Sequence, residues 1–353
     1  MKKRIVKSIL LVVIFVSAIC VLPFWFGRYG VYVPQSESTE STFLKLWHID
    51  SFEGGSGNRA GFLSRMAVKY HAKKASCFVV VQTLSEEEAI NAISTGNLPD
   101  LISFSHHVAN NFCDKLQTID IKSPARAEIQ KFAEKDGKTY ALPWYMSGYC
   151  LIGNSAVDER VLTQLSVDTA YSFGKTDAKN PKYAYTAGLK NSYAQVAMLE
   201  NSNARANLKT CDPKMLEKTS FEAYSDFTKN NASVLLGTAR DFYRVQNRTN
   251  LNAMQTCAYV PLKKFSDLIQ YIGILNPQQQ AQSENFISFL MEAENQRALA
   301  SIGLFSATDL DIYADNEYKN FEKAMHTITK SISIFATPEE KRNLYKKAIN
   351  AMC

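Results

Sequence analysis

The sequence predicts an α/β protein in which a largely parallel β-sheet is covered by helices. Short apolar runs alternate with amphipathic segments from about residue 43 onward. Capping signals mark the starts of two of these helical segments. The β-branched run Phe78–Val81 lies between the first two helical segments, as a buried strand would. Strand–helix–strand order requires crossover connections, which make the joined strands parallel.

Composition favours a globular protein with more than one domain. The chain has 353 residues, of which 46% are hydrophobic and 21% charged. This length is enough for two domains of ordinary size. The net charge of +6 is modest and the charged residues are interspersed, so no nucleic-acid partner is predicted.

Periodicity and capping signals place the elements in order. The first helix begins at Asn58, with Leu63, Met66 and Ala67 on one face. Ser85 and Glu88 form a capping box that opens a helix ending at Gly96, and Thr337 with Glu340 opens the last helix. The predicted strands are Phe43–Ile49, Phe78–Val81, Leu101–Phe104, Val234–Leu236 and Tyr259–Leu262, and a further helix is predicted over Ser283–Ile302.

The first 28 residues predict a membrane anchor or signal segment. Lys2, Lys3, Arg4 and Lys7 surround the start of the apolar stretch Ile5–Phe26. Its 22 residues span roughly 33 Å as a helix, enough to cross a bilayer. The positive charges place the N-terminus in the cytoplasm and the rest of the chain outside.

Three fates of this segment remain open. A retained anchor over residues 5–26 is favoured, because apolar residues continue past the small-residue site Val16–Ala18. Cleavage as a signal peptide and lipid modification at Cys20 are the alternatives. All three export the remaining chain to the extracytoplasmic face of the membrane. Residues 29–42 are predicted to form a polar tether.

The cysteines do not predict a metal site. Six lie outside the apolar segment, scattered and without a C-x-x-C pair. Disulfides and buried free thiols both remain open.

No catalytic, metal or cofactor site is predicted. The glycine loop Gly54–Gly57 lacks the lysine of a phosphate-binding loop and the spacing of a nucleophile elbow. His48 and Asp50 alternate on a strand and are expected to point the same way. His106 and His107, treated as strand residues, are expected to face opposite ways. The glycine loop, which precedes a helix N-terminus, is therefore interpreted as a ligand-binding wall without covalent chemistry.

Five stretches in order resemble the extracellular solute-binding proteins of ABC importers, specifically the family-1 sugar-binding group that includes maltodextrin binders. They are LWHIDSFEGGSGNRAGFLSRMAVKYH, GNLPDLISFSHH, GKTYALPWYMSGYCLIGN, NNASVLLGTARDFYRV and SENFISFLMEAENQRALASIGLFSA. The resemblance implies a periplasmic-binding-protein type II fold, in which two α/β lobes joined by a hinge close on a solute. It places the N-lobe at 43–148 plus 260–302 and the C-lobe at 149–259 plus 303–353.

The resemblance also implies a function and a site. The chain is expected to be a non-enzymatic, monomeric carbohydrate-binding protein that serves a membrane permease. Phe104 matches a sugar-stacking tryptophan of that group and His107 a cleft aspartate. The cleft residues implied are Ser51, Phe52, Glu53, Asn58, Arg59, Phe104, His107, Trp144, Tyr145, Ser147, Asn191, Tyr193, Arg240, Asp241, Tyr243 and Arg244.

Other functions remain open at this point. An anchored extracytoplasmic sensor could use the same fold, and an exported hydrolase is a third possibility. The ligand could instead be an anion, a polyamine or a peptide, because Arg240 and Arg244 suit a negatively charged group.

Overall fold

Two β-sheets with covering helices form the part of the chain that the structure describes. The structure is a computed structural model. It describes residues 41–52, 58–173, 176–177, 180–181, 183–203, 214–252, 254, 256–314 and 316–352. The predicted anchor at 5–26 and the tether up to residue 40 lie outside these residues. Within them, no helix combines the length and apolar character needed to span a membrane.

The first sheet has six strands: β1 (Thr42–Ile49), β2 (Cys77–Leu84), β3 (Leu101–Phe104), β6 (Ala141–Met146), β13 (Ile269–Ile274) and β14 (Phe305–Ser306). Their order in the sheet is β14-β6-β13-β3-β1-β2. β1 is parallel to β2 and β3, whereas β13 is antiparallel to β3 and β6.

The second sheet has four strands: β7 (Tyr149–Asn154), β10 (Tyr183–Ala187), β11 (Ala232–Thr238) and β12 (Cys257–Pro261). Their order in the sheet is β10-β11-β7-β12. β10 and β11 are parallel, and β7 is antiparallel to both β11 and β12. Two short hairpins complete the strands, β4 (Glu134–Lys135) with β5 (Lys138–Thr139), and β8 (Thr176–Asp177) with β9 (Asn180–Pro181).

Helices follow most strands of both sheets. The α-helices are α1 (Arg59–Lys73), α2 (Glu86–Ser94), α3 (His106–Ala109), α4 (Ala127–Gln130), α5 (Val161–Gln164), α6 (Ala194–Asn201), α7 (Lys214–Glu217), α8 (Ser220–Thr228), α9 (Ala239–Asn250), α10 (Gln280–Leu290), α11 (Ala293–Arg297), α12 (Asn316–Met325) and α13 (Pro338–Met352). Short 3₁₀ turns lie at Lys131–Ala133, Pro277–Gln279 and Ala298–Ile302.

Both predicted capping boxes are present, and Asn58, where the first helix was predicted to begin, is the N-cap of that helix. Asn58 caps α1 by accepting from the Gly61 amide, and Ser85 with Glu88 forms the capping box of α2. Thr337 and Glu340 exchange the same pair of bonds at the start of α13. These bonds satisfy amides that the first turn of a helix leaves without partners.

The helix predicted over Ser283–Ile302 is broken in two. Glu292 has an extended backbone and separates α10 from α11. Buried amide side chains replace the missing helix bonds: Asn295 Nδ2 donates to the Phe289 carbonyl at 2.6 Å, and Gln296 Nε2 to the Leu290 carbonyl at 3.1 Å. Hydrophobic periodicity continues across the break, which is why the pattern alone predicted one helix.

Two adjacent crossings connect the sheets. Residues 147–148 join β6 to β7, and residues 262–268 join β12 to β13. The crossings are bonded to each other: the Ser147 amide donates to the Leu268 carbonyl at 2.7 Å, and Ser266 Oγ donates to the Ser147 carbonyl at 2.8 Å. Gly148 lies against Met325 of α12, and a Cβ there would force the end of the Met325 side chain to move.

The chain crosses a third time after β14. This strand pairs with β6 of the first sheet, whereas the sequence expectation placed 303–353 in the second lobe. The last helix, α13, then packs against α6 beside the second sheet. The four described cysteines, Cys77, Cys113, Cys150 and Cys257, are free thiols.

Candidate functional site

The two sheets direct their strand ends toward one cleft. Asp50 and Ser51 follow β1 and His106 follows β3, so they lie at the carboxyl edge of the first sheet. Residues 190–193 follow β10 and Thr238 ends β11, at the carboxyl edge of the second sheet. Loops at the carboxyl ends of parallel strands are where open α/β sheets bind ligands. We call residues 50–51 and 106–107 the first wall, and residues 190–193 and 238 the second wall.

An ion pair between buried Arg59 and the exposed carboxylate of Asp50 holds the first wall. Arg59, the first residue of α1, is buried, pairs with the Asp50 carboxylate and donates to the Phe52 carbonyl. His48 Nε2 lies 3.8 Å from Asp50 Oδ1, so the two side chains point the same way, as predicted. Burial lowers the pKa of His48. Burial alone would raise the pKa of Asp50, but His48 and Arg59 reverse the effect and lower it.

A second buried cluster lies where the walls meet the crossings. Asp267 is 2% exposed. Its Oδ1 accepts from the Tyr149 hydroxyl at 2.8 Å and its Oδ2 lies 3.2 Å from His106 Nε2. Burial lowers the pKa of His106 to about 4, so its ring is neutral near pH 7 and donates through Nε2–H. Burial would raise the pKa of Asp267, but the hydrogen bond from His106 and the nearby His107 ring lower it.

His106 and His107 do not face opposite ways. The prediction treated them as strand residues, but they begin α3, capped by Ser105. Their ring centroids are 4.1 Å apart and both Nε2 atoms approach Asp267. The strand ends at Phe104, so the alternation of side chains ends there too.

The second wall combines a polar loop, residues 190–193, with Thr238 at the capped start of α9. Lys190 is exposed, and Asn191 has a left-handed backbone with φ of 55°. Tyr193 packs against His106 of the first wall, with ring centroids 5.4 Å apart. Thr238 and Asp241 form the capping box of α9, in which the Thr238 amide donates to Asp241 Oδ2 at 3.0 Å. The loop is anchored below by Gly188, where a Cβ would overlap the backbone of Thr219 and Ser220.

Two adjoining cavities occupy the cleft. The inner one has a volume of about 220 Å³ and the outer one about 930 Å³. Both are lined by Ser51, His107, Lys190, Asn191 and Ser192. The inner cavity reaches Phe52, Tyr149 and Asp267, and the outer one opens past Tyr193 and Tyr345. Space of this size between aromatic rings and a few convergent polar groups suits a small polar solute.

Six of the residues implied by the resemblance line the cleft. They are Ser51, Phe52, His107, Asn191, Tyr193 and Asp241. Asn58 and Arg59 lie behind the first wall as helix cap and ion-pair partner. Ser147 is buried in the first crossing. Glu53 lies outside the described residues.

The structure places the remaining predicted aromatic residues in the core. Phe104, Trp144 and Tyr145 are completely buried, and Tyr243 is 6% exposed. Phe104 packs on Phe112, and the Trp144 indole donates to Ser103 Oγ at 3.0 Å. Tyr145 stands edge-on to Trp144, and Tyr243 stacks on Tyr318. Because these side chains fill the hydrophobic clusters, they do not line either cavity.

Two predicted arginines lie beside the cleft rather than in it. Arg244 sits 3.7 Å from Asp241 and over the Tyr224 ring. Arg240 and Arg244 line neither of the two cavities. The positive charge that favoured an anionic ligand therefore does not face the inner cavity.

Sequence reasoning missed several cleft residues. They are Asp50, Tyr149, Lys190, Ser192, Thr238, Asp267, Lys341 and Tyr345. Lys341 is buried: its ammonium donates to the His106 carbonyl and contacts Asn110, and burial lowers its pKa to about 8. A signal existed for Asp267, a lone carboxylate directly before an apolar strand. Tyr345 had none, because only tertiary packing brings α13 to the cleft.

Comparisons with known proteins show the fold. The sequence matches no protein-family model and no curated protein. Among solved structures, the sugar-binding protein MalE from Xanthomonas citri is 13% identical, with a TM-score of 0.66, covering 88% of this chain and 91% of that one. The GacH receptor of Streptomyces glaucescens is 14% identical, with a TM-score of 0.61 and coverages of 88% and 93%.

A third similar structure extends the comparison. The maltose/maltodextrin-binding domain MalE from Bdellovibrio bacteriovorus, bound to maltotriose, is 13% identical, with a TM-score of 0.57 and coverages of 88% and 93%. The chain therefore has the two-lobe α/β fold of solute-binding proteins, and this part of the predicted fold class is confirmed.

Proposed function

We propose that this protein is an extracytoplasmic solute-binding protein that captures a carbohydrate between two lobes and delivers it to an ABC-transporter permease. The observation that carries the proposal is the cleft itself. Both sheets meet it with their carboxyl edges, and five residues from both walls line both of its cavities. The similar solved structures include a protein with maltotriose bound.

The chemistry of the cleft suits a sugar. Phe52, Tyr193 and Tyr345 offer ring surfaces for the C–H faces of a pyranose. Asn191, Ser192 and the carboxylate of Asp241 offer the polar groups that pair with hydroxyls. The protein acts by binding its solute and forms no covalent bond with it.

We propose that each of the two sheets forms the core of one lobe. We propose that residues 147–148 and 262–268 form the hinge, because they connect the sheets and are hydrogen-bonded to each other. The third crossing then follows Ser306 rather than residue 302, because β14 belongs to the first sheet. A ligand that contacts both walls favours the closed arrangement by its greater affinity for it.

The test is a thermal-shift screen of the full-length chain in detergent. The panel contains mono- and oligosaccharides, sugar acids and sugar phosphates, with polyamines and peptides as controls. We expect one sugar class to raise the melting temperature in a concentration-dependent way, because it binds only the folded state. A shift with an anion or a polyamine and none with any sugar would overturn the carbohydrate assignment.

A matched pair of variants locates the site. Lys190→Ala removes an exposed side chain that lines both cavities, whereas Lys347→Ala removes an exposed lysine of α13 that lines neither. We expect only Lys190→Ala to weaken the ligand-dependent shift. Equal shifts in both variants would contradict a site between the walls.

The apolar N-terminal segment favours a second candidate, an anchored sensor that presents the same ligand to a signalling partner. Ile5–Phe26 is long enough to remain in the membrane. Both candidates place the lobes outside the cytoplasm. Ligand uptake that requires this protein and a permease supports import, whereas uptake that survives its deletion supports sensing.

A further inference from the structure

Three side chains with metal-ligating atoms converge at the floor of the cleft. His106 Nε2 lies 3.2 Å and His107 Nε2 3.7 Å from the same oxygen, Asp267 Oδ2. The three ligating atoms all lie within 4.8 Å of one another. The histidines come from the first wall and Asp267 from the second crossing, so the fold assembles the group from two distant parts of the chain.

The two ligand separations to Asp267 are close to those of tetrahedral coordination, and the third pair, His106 with His107, lies within 4.8 Å. A divalent ion bound at 2.0–2.1 Å from each ligand separates neighbouring ligand atoms by about 3.3 Å. The His106–Asp267 separation is 3.2 Å, and the His107–Asp267 separation of 3.7 Å needs a shift of a few tenths of an ångström. The His107–Asp267 contact is longer than a hydrogen bond and lies within ion-pair distance.

The surroundings hold the carboxylate in a ligating orientation. The Tyr149 hydroxyl donates to Asp267 Oδ1 at 2.8 Å, which fixes the carboxyl plane and leaves Oδ2 toward the imidazoles. Such outer hydrogen bonds to a ligating carboxylate are typical of metal sites. Two imidazoles and one carboxylate form a donor set that suits zinc and its first-row neighbours.

We propose that His106, His107 and Asp267 bind one divalent transition-metal ion of the zinc class at the floor of the cleft. Three protein ligands leave a fourth position. His107 and Asp267 both line the inner cavity, so this position faces the captured solute. There an oxygen of the solute coordinates the ion, a role that rests on the proposed function, whereas the metal site itself does not.

The first experiment is a Co²⁺ titration of the full-length chain, purified in detergent with a chelator and without a histidine tag, in the absence of sugar. We expect the visible absorption of tetrahedral Co²⁺, saturating at one ion per chain and lost on adding Zn²⁺. No such absorption in the wild-type protein would overturn the proposal.

Two matched variants test the ligands. His107→Gln should weaken Co²⁺ binding by more than about 100-fold, beyond the 10- to 100-fold expected for losing an outer partner. His71→Gln, on α1 and stacked on Phe78, should leave binding unchanged. Equal binding in His107→Gln and the wild type would overturn the site. Circular dichroism of each variant checks that it is folded.

A second measurement needs no variant. Diethyl pyrocarbonate modifies accessible imidazoles, and His107 is 23% exposed. Zn²⁺ should protect His107 in the wild-type chain while His71 reacts at the same rate with or without the ion. Unprotected His107 at saturating Zn²⁺ would contradict the proposal. Sugar binding is screened separately on metal-free and Zn²⁺-loaded protein, so loss of the metal site and loss of the proposed function are read independently.

Discussion

The two walls of the cleft are built in different ways. The first wall rests on buried polar groups: Arg59, which pairs with the exposed carboxylate of Asp50, and neutral His106, which donates to buried Asp267. The second wall is a loop that carries an exposed lysine and one left-handed asparagine, Asn191. Buried polar clusters fix geometry because every change leaves a group without its partner, whereas an exposed loop adapts at little cost. We therefore expect the first wall to set the shape of the site and the second to adjust to the solute.

Removing the Asp267 carboxylate, which accepts from His106 of the first wall, should cause the largest loss in the free energy of unfolding. Asp267→Ala leaves the Tyr149 hydroxyl and His106 Nε2–H buried without their acceptor. We expect a loss of about 3 kcal/mol in the free energy of unfolding. Urea denaturation at pH 7 measures it. Asp309→Ala, at an exposed carboxylate 3.6 Å from Arg126, serves as control and should change stability by less than about 0.5 kcal/mol.

Gly188→Ala tests whether the second wall is rigid at its base. The added Cβ overlaps the backbone of Thr219 and Ser220, which cannot rotate away as a side chain can. We expect a loss of about 2–3 kcal/mol by thermal unfolding. Gly61→Ala in α1, where the nearest atom to a Cβ is at 3.6 Å, should instead gain about 0.5–1 kcal/mol. Equal losses of stability in Gly188→Ala and Gly61→Ala would contradict a specific backbone contact at Gly188.

Acid should lower the free energy of unfolding through His106 of the first wall. The pKa of His106 falls from 6.5 to about 4 on folding, so between these pH values the unfolded chain binds a proton that the folded chain excludes. The free energy of unfolding therefore falls as pH drops from 6.5 toward 4, by about 2 kcal/mol. His48 acts in the same direction. Urea midpoints across this range measure the slope, and His106→Asn should flatten it. An unchanged slope in that variant would assign the proton to another group.

Substitutions of Asn191 should change the free energy of unfolding least, because this residue lies in the exposed, adaptable loop of the second wall. Its φ of 55° is tolerated by asparagine and glycine but costs other residues about 1 kcal/mol. Asn191→Ala should therefore lose about that amount, and Asn191→Gly should stay within about 0.5 kcal/mol of the wild type. A larger loss in the glycine variant would show that the side chain itself holds the loop, and the contrast between the walls would weaken.

Local signals predicted the elements better than the site. The caps at Ser85 and Thr337 were predicted because a capping box is made within four residues. The break at Glu292 was not, because it depends on buried amides that replace helix bonds.

The prediction of cleft residues was limited in the same way by tertiary packing. The resemblance implied Ser51, Phe52 and His107, which line the inner cavity, but it also implied Trp144 and Tyr145, which tertiary packing buries. Asp267 was missed because a lone carboxylate gives no sign of the two histidines that pack against it. The folded chain brings them together across 160 residues, beyond the range of a sequence motif.

The strand order of the first sheet has a consequence for synthesis. β13 lies between β6 and β3, yet its residues follow the whole second sheet along the chain. Until the ribosome has released Ile274, β3 and β6 each have an open edge, while Tyr149–Pro261 already contain all four strands of the second sheet. We therefore expect the second sheet to form first and the first sheet to close late around a strand of high sequence separation. The nascent chain meanwhile carries unpaired apolar edges that need protection from aggregation.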